Sequence, residues 1–153
     1  MSSGVKVDGA IPILFNSMKF KNTPKVAFFR ISDDGKSIIV DEDRQIMPCE
    51  KDPYGAFIKM LPSDDCRYIV FDVAYGTKES GDKTQLLFIA WAPEDAPIKC
   101  KMVHASSKDY IKKELGLENE WDLHDMADAM NIREMGAKLK GALCVEGREL
   151  GCQ

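Results

Sequence analysis

The residues of this chain best suited to covalent or metal chemistry are two histidines, His104 and His124, and five cysteines: Cys49, Cys66, Cys100, Cys144 and Cys152. Their pattern does not support either chemistry. No Cys-x-x-Cys pair occurs, and neither histidine belongs to a recognisable zinc framework. An odd number of scattered thiols argues against a disulfide scaffold and for free thiols in a reducing compartment. A Gly-x-Ser-x-Gly elbow, a phosphate-cradling Gly-rich loop with its lysine, and His-Glu-x-x-His are all missing. One covalent reading is left, a thiol-dependent enzyme with Cys66 or Cys100 activated by His104, because such pairs meet in space rather than in sequence. It competes with the commoner state of a buried thiol, which is inert. The doublets Asp33-Asp34 and Asp64-Asp65 stand in turn signals, where local hydrogen bonding accounts for them. No catalytic residue, cofactor or metal is expected.

Non-covalent recognition has a clearer candidate. From Lys99 to Lys113 the chain carries five lysines (Lys99, Lys101, Lys108, Lys112, Lys113) against one acid, Asp109, in a protein whose net charge is −4. A concentrated basic element on an otherwise acidic chain is a contact surface for an acidic partner, or else a solvated helix face. The overall acid excess speaks against general nucleic-acid binding.

The elements that must position these lysines fit in one domain, residues 1–153, with a polar arm at residues 1–7. The length supports a real core, and 44% hydrophobic with 30% charged residues is ordinary for a globular protein. No apolar run approaches the roughly 20 residues of a membrane span. The N-terminus lacks a basic-then-apolar signal pattern, so a cytoplasmic protein is expected. Ile11, Leu14, Phe15 and Met18 recur with helical period behind Asp8 or Pro12, and Asn22-Thr23-Pro24 ends that helix. Lys25–Ser32 and Ser37–Val40 read as a hairpin around the turn at Asp33–Lys36. Asp52-Pro53 opens a second helix carrying Tyr54, Phe57, Ile58 and Leu61. Cys66–Tyr75 and Leu86–Trp91 are strands apolar on both sides, so helices should cover both faces of their sheet. Gly76–Gln85 between them reads as a projecting loop. Met102–Ala105 is expected as a short strand, followed by a helix capped at Ser106 or Ser107 and ended by Gly116. Trp121–Met130 has no decisive pattern. Asn131–Lys140 is expected as a helix stopped at Gly141, and Ala142–Val145 as an edge strand.

The segment WAPEDAPIKCKMVHASSKDYIKKEL is similar to the central segment of the ADF/cofilin family of actin-depolymerising proteins. SGVKVD at Ser3–Asp8, DPYGAFIKMLPSDDCRYIVFD at Asp52–Asp72, REMGAKLKG at Arg133–Gly141 and EGREL at Glu146–Leu150 extend the match, in the family's order, over almost the whole chain. The resemblance implies an α/β fold of the α+β type: a single ADF-homology domain with a central mixed sheet of five or six strands and helices on both faces. It implies a monomer that binds actin monomers and filaments, prefers ADP-actin, and severs and depolymerises filaments. It also implies an N-terminal serine switched by a kinase and a phosphatase.

Carried over by motif, the monomer-binding surface falls on Ser3, Gly4, Val5, Lys99, Lys101, Met102, Lys112 and Lys113. The filament-binding surface falls on Lys78, Glu79, Asp82, Lys83, Arg133, Glu134 and Lys138. Ser3 matches the phosphorylation site, where a phosphate would add about −1.5 to −2 charges; Ser2 is its neighbour. The basic strip of Lys99, Lys101, Lys112 and Lys113 should also attract phosphoinositide head groups, at about 1 kcal/mol per lysine near an anionic surface. Relatives that only sequester monomers, or that act on the branched-filament complex, are the alternative within the same resemblance. The chain departs from the vertebrate pattern in three places. The basic insertion before the first strand is missing, which puts nuclear entry in doubt. Asn119 replaces a pH-sensing histidine, so weak pH dependence is expected. His104 stands where tyrosine is usual.

Overall fold

The computed structural model describes residues 5–78, 81–139, 142–146 and 148–149. The strands are β1 (Lys6–Val7), β2 (Val26–Ile31), β3 (Ser37–Ile46), β4 (Arg67–Thr77), β5 (Gly81–Trp91), β6 (Glu120–Leu123), β7 (Ala142–Val145) and β8 (Arg148–Glu149). The helices are α1 (Ala10–Lys21), α2 (Pro53–Met60), α3 (Ile98–Leu115), α4 (Met126–Ala129) and α5 (Ile132–Ala137). Six strands form one path in the order β1-β3-β2-β4-β5-β6, and β7, with β8 beside it, pairs with the far end of β4. The outer pairs β1–β3 and β5–β6 are parallel; the pairs between them are antiparallel. This is a mixed sheet of eight described strands, two of them only two residues long.

The run of apolar residues in β4 is explained by burial on two sides. Ile69, Phe71 and Val73 join a core with Tyr54 and Phe57 of α2, Ala129 of α4 and Met135 of α5. Tyr68 and Val70 alternate into a second core with Ile11, Phe15 and Met18 of α1 and Ile111 and Leu115 of α3. Helices therefore cover both faces. α2 begins as its sequence demands: Asp52 accepts a hydrogen bond from Gly55 N at 3.2 Å and Pro53 takes the first helical position.

Four segments differ from the sequence reading. β3 runs on to Ile46 instead of stopping at Val40, because its polar residues find partners within the fold. Asp41 pairs with Arg67 and Arg44, and Gln45 Nε2 donates to Phe28 O and Asp41 O where the β2–β3 register shifts. Gly76–Thr77 and Gly81–Gln85, expected within a loop, are strand: the β4–β5 ladder continues to Thr77↔Gly81, so polar side chains ride on a paired ribbon. Such a ribbon needs no buried face, since antiparallel strands tolerate solvent.

The third correction concerns the basic stretch. Met102–Ala105 is not a strand and neither Ser106 nor Ser107 caps a helix; all lie inside α3, which starts after Pro97. Its inner face is His104, Ser107, Ile111 and Leu115, a helical spacing with two polar members. Gly116, at φ 69°, closes the helix in the left-handed region, with its N–H bonded to Lys112 O and Lys113 O. The helix expected over Asn131–Lys140 is shorter, with its stop at Gly141 outside the described residues. Trp121–Met130 resolves into β6 and α4.

Candidate functional site

Because α3 is one continuous helix, its outward face presents a single strip. Ile98 and Met102, one turn apart, are 74% and 67% exposed. Lys99 is exposed beside them, Lys113 is exposed in the last turn of the same helix, and Lys101 Nζ donates to Glu94 O at 3.0 Å. Exposed apolar side chains flanked by cations are chemically complementary to an apolar groove with acidic edges.

The lysines are not equivalent. Lys112 is ion-paired with Glu120 on β6, and Lys108 bridges Glu120 at 2.9 Å and Asp122 at 3.3 Å. Partial burial pushes the Glu120 carboxyl up, but hydrogen bonds from Lys112 and Lys108 outweigh it and hold its pKa at about 2. This cluster fastens the C-terminal half of α3 to the sheet edge. Lys113, one residue on, points clear of it. Ser3 and Gly4 lie outside the described residues. Val5 is buried in the core shared with α1 and α3, so its contribution at a surface is confined to main chain.

The residues of the second surface converge through β7. It pairs with β4 at Tyr75–Thr77, beside the ribbon that carries Lys78, Asp82 and Lys83, and it packs against α5, which carries Arg133 and Glu134; Lys138 follows as its C-cap. All six are exposed; Glu79 is outside the described residues. α3 and α5 belong to different cores, so these two helices lie on opposite faces of the sheet. Asn119 donates to Lys138 O at 3.0 Å, tying the segment after α3 to the end of α5.

His104 stacks on Tyr68 with ring centroids 4.2 Å apart and planes 11° from parallel. Its Nε2 lies 2.9 Å from Arg67 O, which can only accept, so Nε2 carries the proton; Tyr68 Oη donates to His104 O at 2.5 Å. Burial drags the imidazole pKa down to about 4. This histidine is thus a neutral spacer between α3 and β4, and its ring nitrogen is engaged by main chain rather than by a thiol. Burial pushes the Cys66 thiol up to about 12, and burial with the neighbouring Asp65 raises Cys100 as well. Protonated thiols are poor nucleophiles. Among the described residues, no three or more His, Cys, Asp or Glu side chains are grouped to hold a metal. No helix among them is long and apolar enough to cross a membrane.

The lysines are visible in the sequence, whereas the role of Ile98 is hidden there: its spacing of four from Met102 is the signal, and the strand expected over Met102–Ala105 masks it.

A mixed sheet with helices on both faces and a long helix presenting apolar and basic residues is an actin-depolymerising-factor homology fold. Residues 4–138 match the family of cofilin/tropomyosin-type actin-binding proteins, and the chain belongs to that family. Solved structures agree. The chain is similar to the cofilin of Streptomyces griseoflavus (28% identity, TM-score 0.77, covering 90% of this chain and 99% of that one). It is also similar to actin depolymerization factor 2 of Plasmodium berghei (25%, TM-score 0.76, 90% and 96%). The ADF-like UNC-60A protein of Caenorhabditis elegans matches at 26% identity with a TM-score of 0.70, over 91% and 96% of the two chains.

Proposed function

We propose that this protein binds actin monomers and filaments in the cytoplasm, prefers ADP-actin, and severs and depolymerises filaments without covalent chemistry. The observation that carries the reading is the exposed pair Ile98 and Met102 on α3, with Lys99 and Lys101 next to it and Lys113 exposed farther along the same helix. In this reading the pair enters an apolar cleft and the lysines meet acidic residues at its rim, with the Ser3–Val5 arm alongside. Lys112 contributes from its place beside Glu120. Lys78, Glu79, Asp82, Lys83, Arg133, Glu134 and Lys138 make the second contact, available only on a filament. Preference for one filament geometry then shifts the filament toward it by the difference in affinity.

Regulation follows from the same surface. A phosphate on Ser3 adds negative charge where an acidic partner must approach. Phosphoinositide head groups compete for Lys99, Lys101, Lys112 and Lys113. Asn119, an amide hydrogen-bonded to Lys138 O, does not titrate, so depolymerisation should vary little with pH. A steep change between about pH 6.5 and 8 in sedimentation assays would contradict that.

The deciding experiment compares monomer binding and filament co-sedimentation for wild type, Ile98→Ala/Met102→Ala, Lys112→Ala/Lys113→Ala and Ser3→Glu. The apolar double variant should lose about tenfold or more in monomer affinity with unchanged thermal stability, as centrally placed anchors do. If it and the lysine variant both bind monomers like wild type, the site is misplaced.

A further inference from the structure

Two thiols meet behind the first turn of α3. The Cys100 thiol donates to Asp65 Oδ1 at 3.2 Å, and the same oxygen accepts from Cys66 N at 2.9 Å, so one carboxylate draws the Cys100 sulfur to the start of β4. Cys66 follows Asp65 in the chain, so this carboxylate holds the Cys100 sulfur near it, and each thiol influences the other's proton. Cys66 is buried, whereas Cys100 is half-buried and lines a cavity of about 360 Å³ with Arg30, Ser32, Asp34, Lys99 and Val103. The pair thus has an inner member and an outer one that small molecules can reach. Both are free thiols. A disulfide needs the two sulfurs at about 2.05 Å, and Cys100 borders a cavity in which its side chain can turn.

We propose that Cys100 and Cys66 form a dithiol modification site that reacts with small-molecule disulfides and closes to an intramolecular disulfide joining α3 to β4. The Cys100 thiolate attacks one sulfur of the reagent, whose S–S bond breaks and releases one thiol. The Cys66 thiolate then attacks the Cys100 sulfur of the mixed disulfide and releases the second. Two cysteines are oxidised, one reagent disulfide is reduced to two thiols, and the protons of both cysteines end on the released thiols. Thiolate is scarce at both positions at neutral pH, so the reaction is slow there and accelerates as pH rises. The new bond would stand directly behind Lys99, Lys101 and Met102.

The test uses the full chain carrying Cys49→Ser, Cys144→Ser and Cys152→Ser, incubated folded with glutathione disulfide at about pH 8. The expected product is lighter by two hydrogens, yields a linked peptide containing Cys66 and Cys100, melts at a higher temperature, and reverts with dithiothreitol. Adding Cys100→Ser should leave Cys66 unmodified, because the buried thiol has no other entry. A stable glutathione adduct on Cys100 with Cys66 free overturns the proposal, as does rapid glutathionylation of Cys66 in the Cys100→Ser chain. Reaction only under unfolding conditions also overturns it.

Discussion

His104 is the residue whose environment makes the sharpest solution prediction. Its folded-state pKa is about 4, against 6.5 for the free side chain, because burial disfavours the cation. The unfolded chain therefore takes up a proton near pH 6.5 that the folded chain refuses until about pH 4. Stability is fully present above pH 6.5 and falls as pH drops toward 4, by about 3 kcal/mol at about 1.4 kcal/mol per unit. Urea unfolding at pH 7 and pH 4.5 should show this slope in wild type and a flatter one in His104→Phe, which keeps the stacked ring. Asp41 makes a second prediction. It and Arg67 are both about 95% buried, with Arg67 Nε 2.9 Å from Asp41 Oδ2 and Arg67 NH1 2.7 Å from Asp65 Oδ2. Asp41→Ala removes one partner from a buried cation and should cost about 3–5 kcal/mol in chemical denaturation, whereas Asp33→Ala, on an exposed pair, should cost under about 1 kcal/mol.

At the scale of elements, the continuity of α3 is open to a direct test. Were Ser106 the N-cap of a shorter helix, proline at the next position would be tolerated as a first helical residue. In the observed helix Ser107 is buried in mid-helix, so proline is better placed at exposed Ser106, where it breaks an interior bond. Ser106→Pro should destabilise by about 3 kcal/mol or more, while Ser106→Ala should be nearly silent in thermal melts. This element also shows why parts of the fold were legible in the sequence and others not. The apolar parts of β4 and β5, before Gly76 and from Leu86 on, and the Asp52-Pro53 start of α2 carry their own signals. α3 hides its inner face because His104 and Ser107 sit where Leu or Ile would have marked the period, and their polar atoms are satisfied by partners distant in sequence. The extension of β3 past Val40 rests on Asp41 meeting Arg67, a contact across 26 residues that no local pattern reveals. The candidate site divided likewise. Charge identified the lysines, but the engagement of Lys112 and Lys108 by Glu120 depends on β6 lying parallel beside β5.

For the molecule as a whole, the arrangement of β4 has a dynamic consequence. β5 pairs with it along one edge from Arg67 to Thr77, while β2 at Tyr68–Phe71 and β7 at Tyr75–Thr77 share the other. Glu146 secures that second edge: its carboxylate accepts from Ala74 N at 2.5 Å and pairs with Lys25 at 2.9 Å. Partial openings that peel away β1 leave this strand's ladder intact. In native-state hydrogen–deuterium exchange, amides from Ile69 to Val73 should therefore exchange only through global unfolding, with free energies equal to those from denaturant melts. Lys6 and Asp8, held to the rest of the sheet by bonds to Lys36 O and Ile38 O, should exchange through a smaller opening. A β4 amide exchanging as fast as these would mean that the sheet divides at its middle. The slowest clock in the protein should run on the strand that begins at Arg67, immediately beside the anchorage of α3.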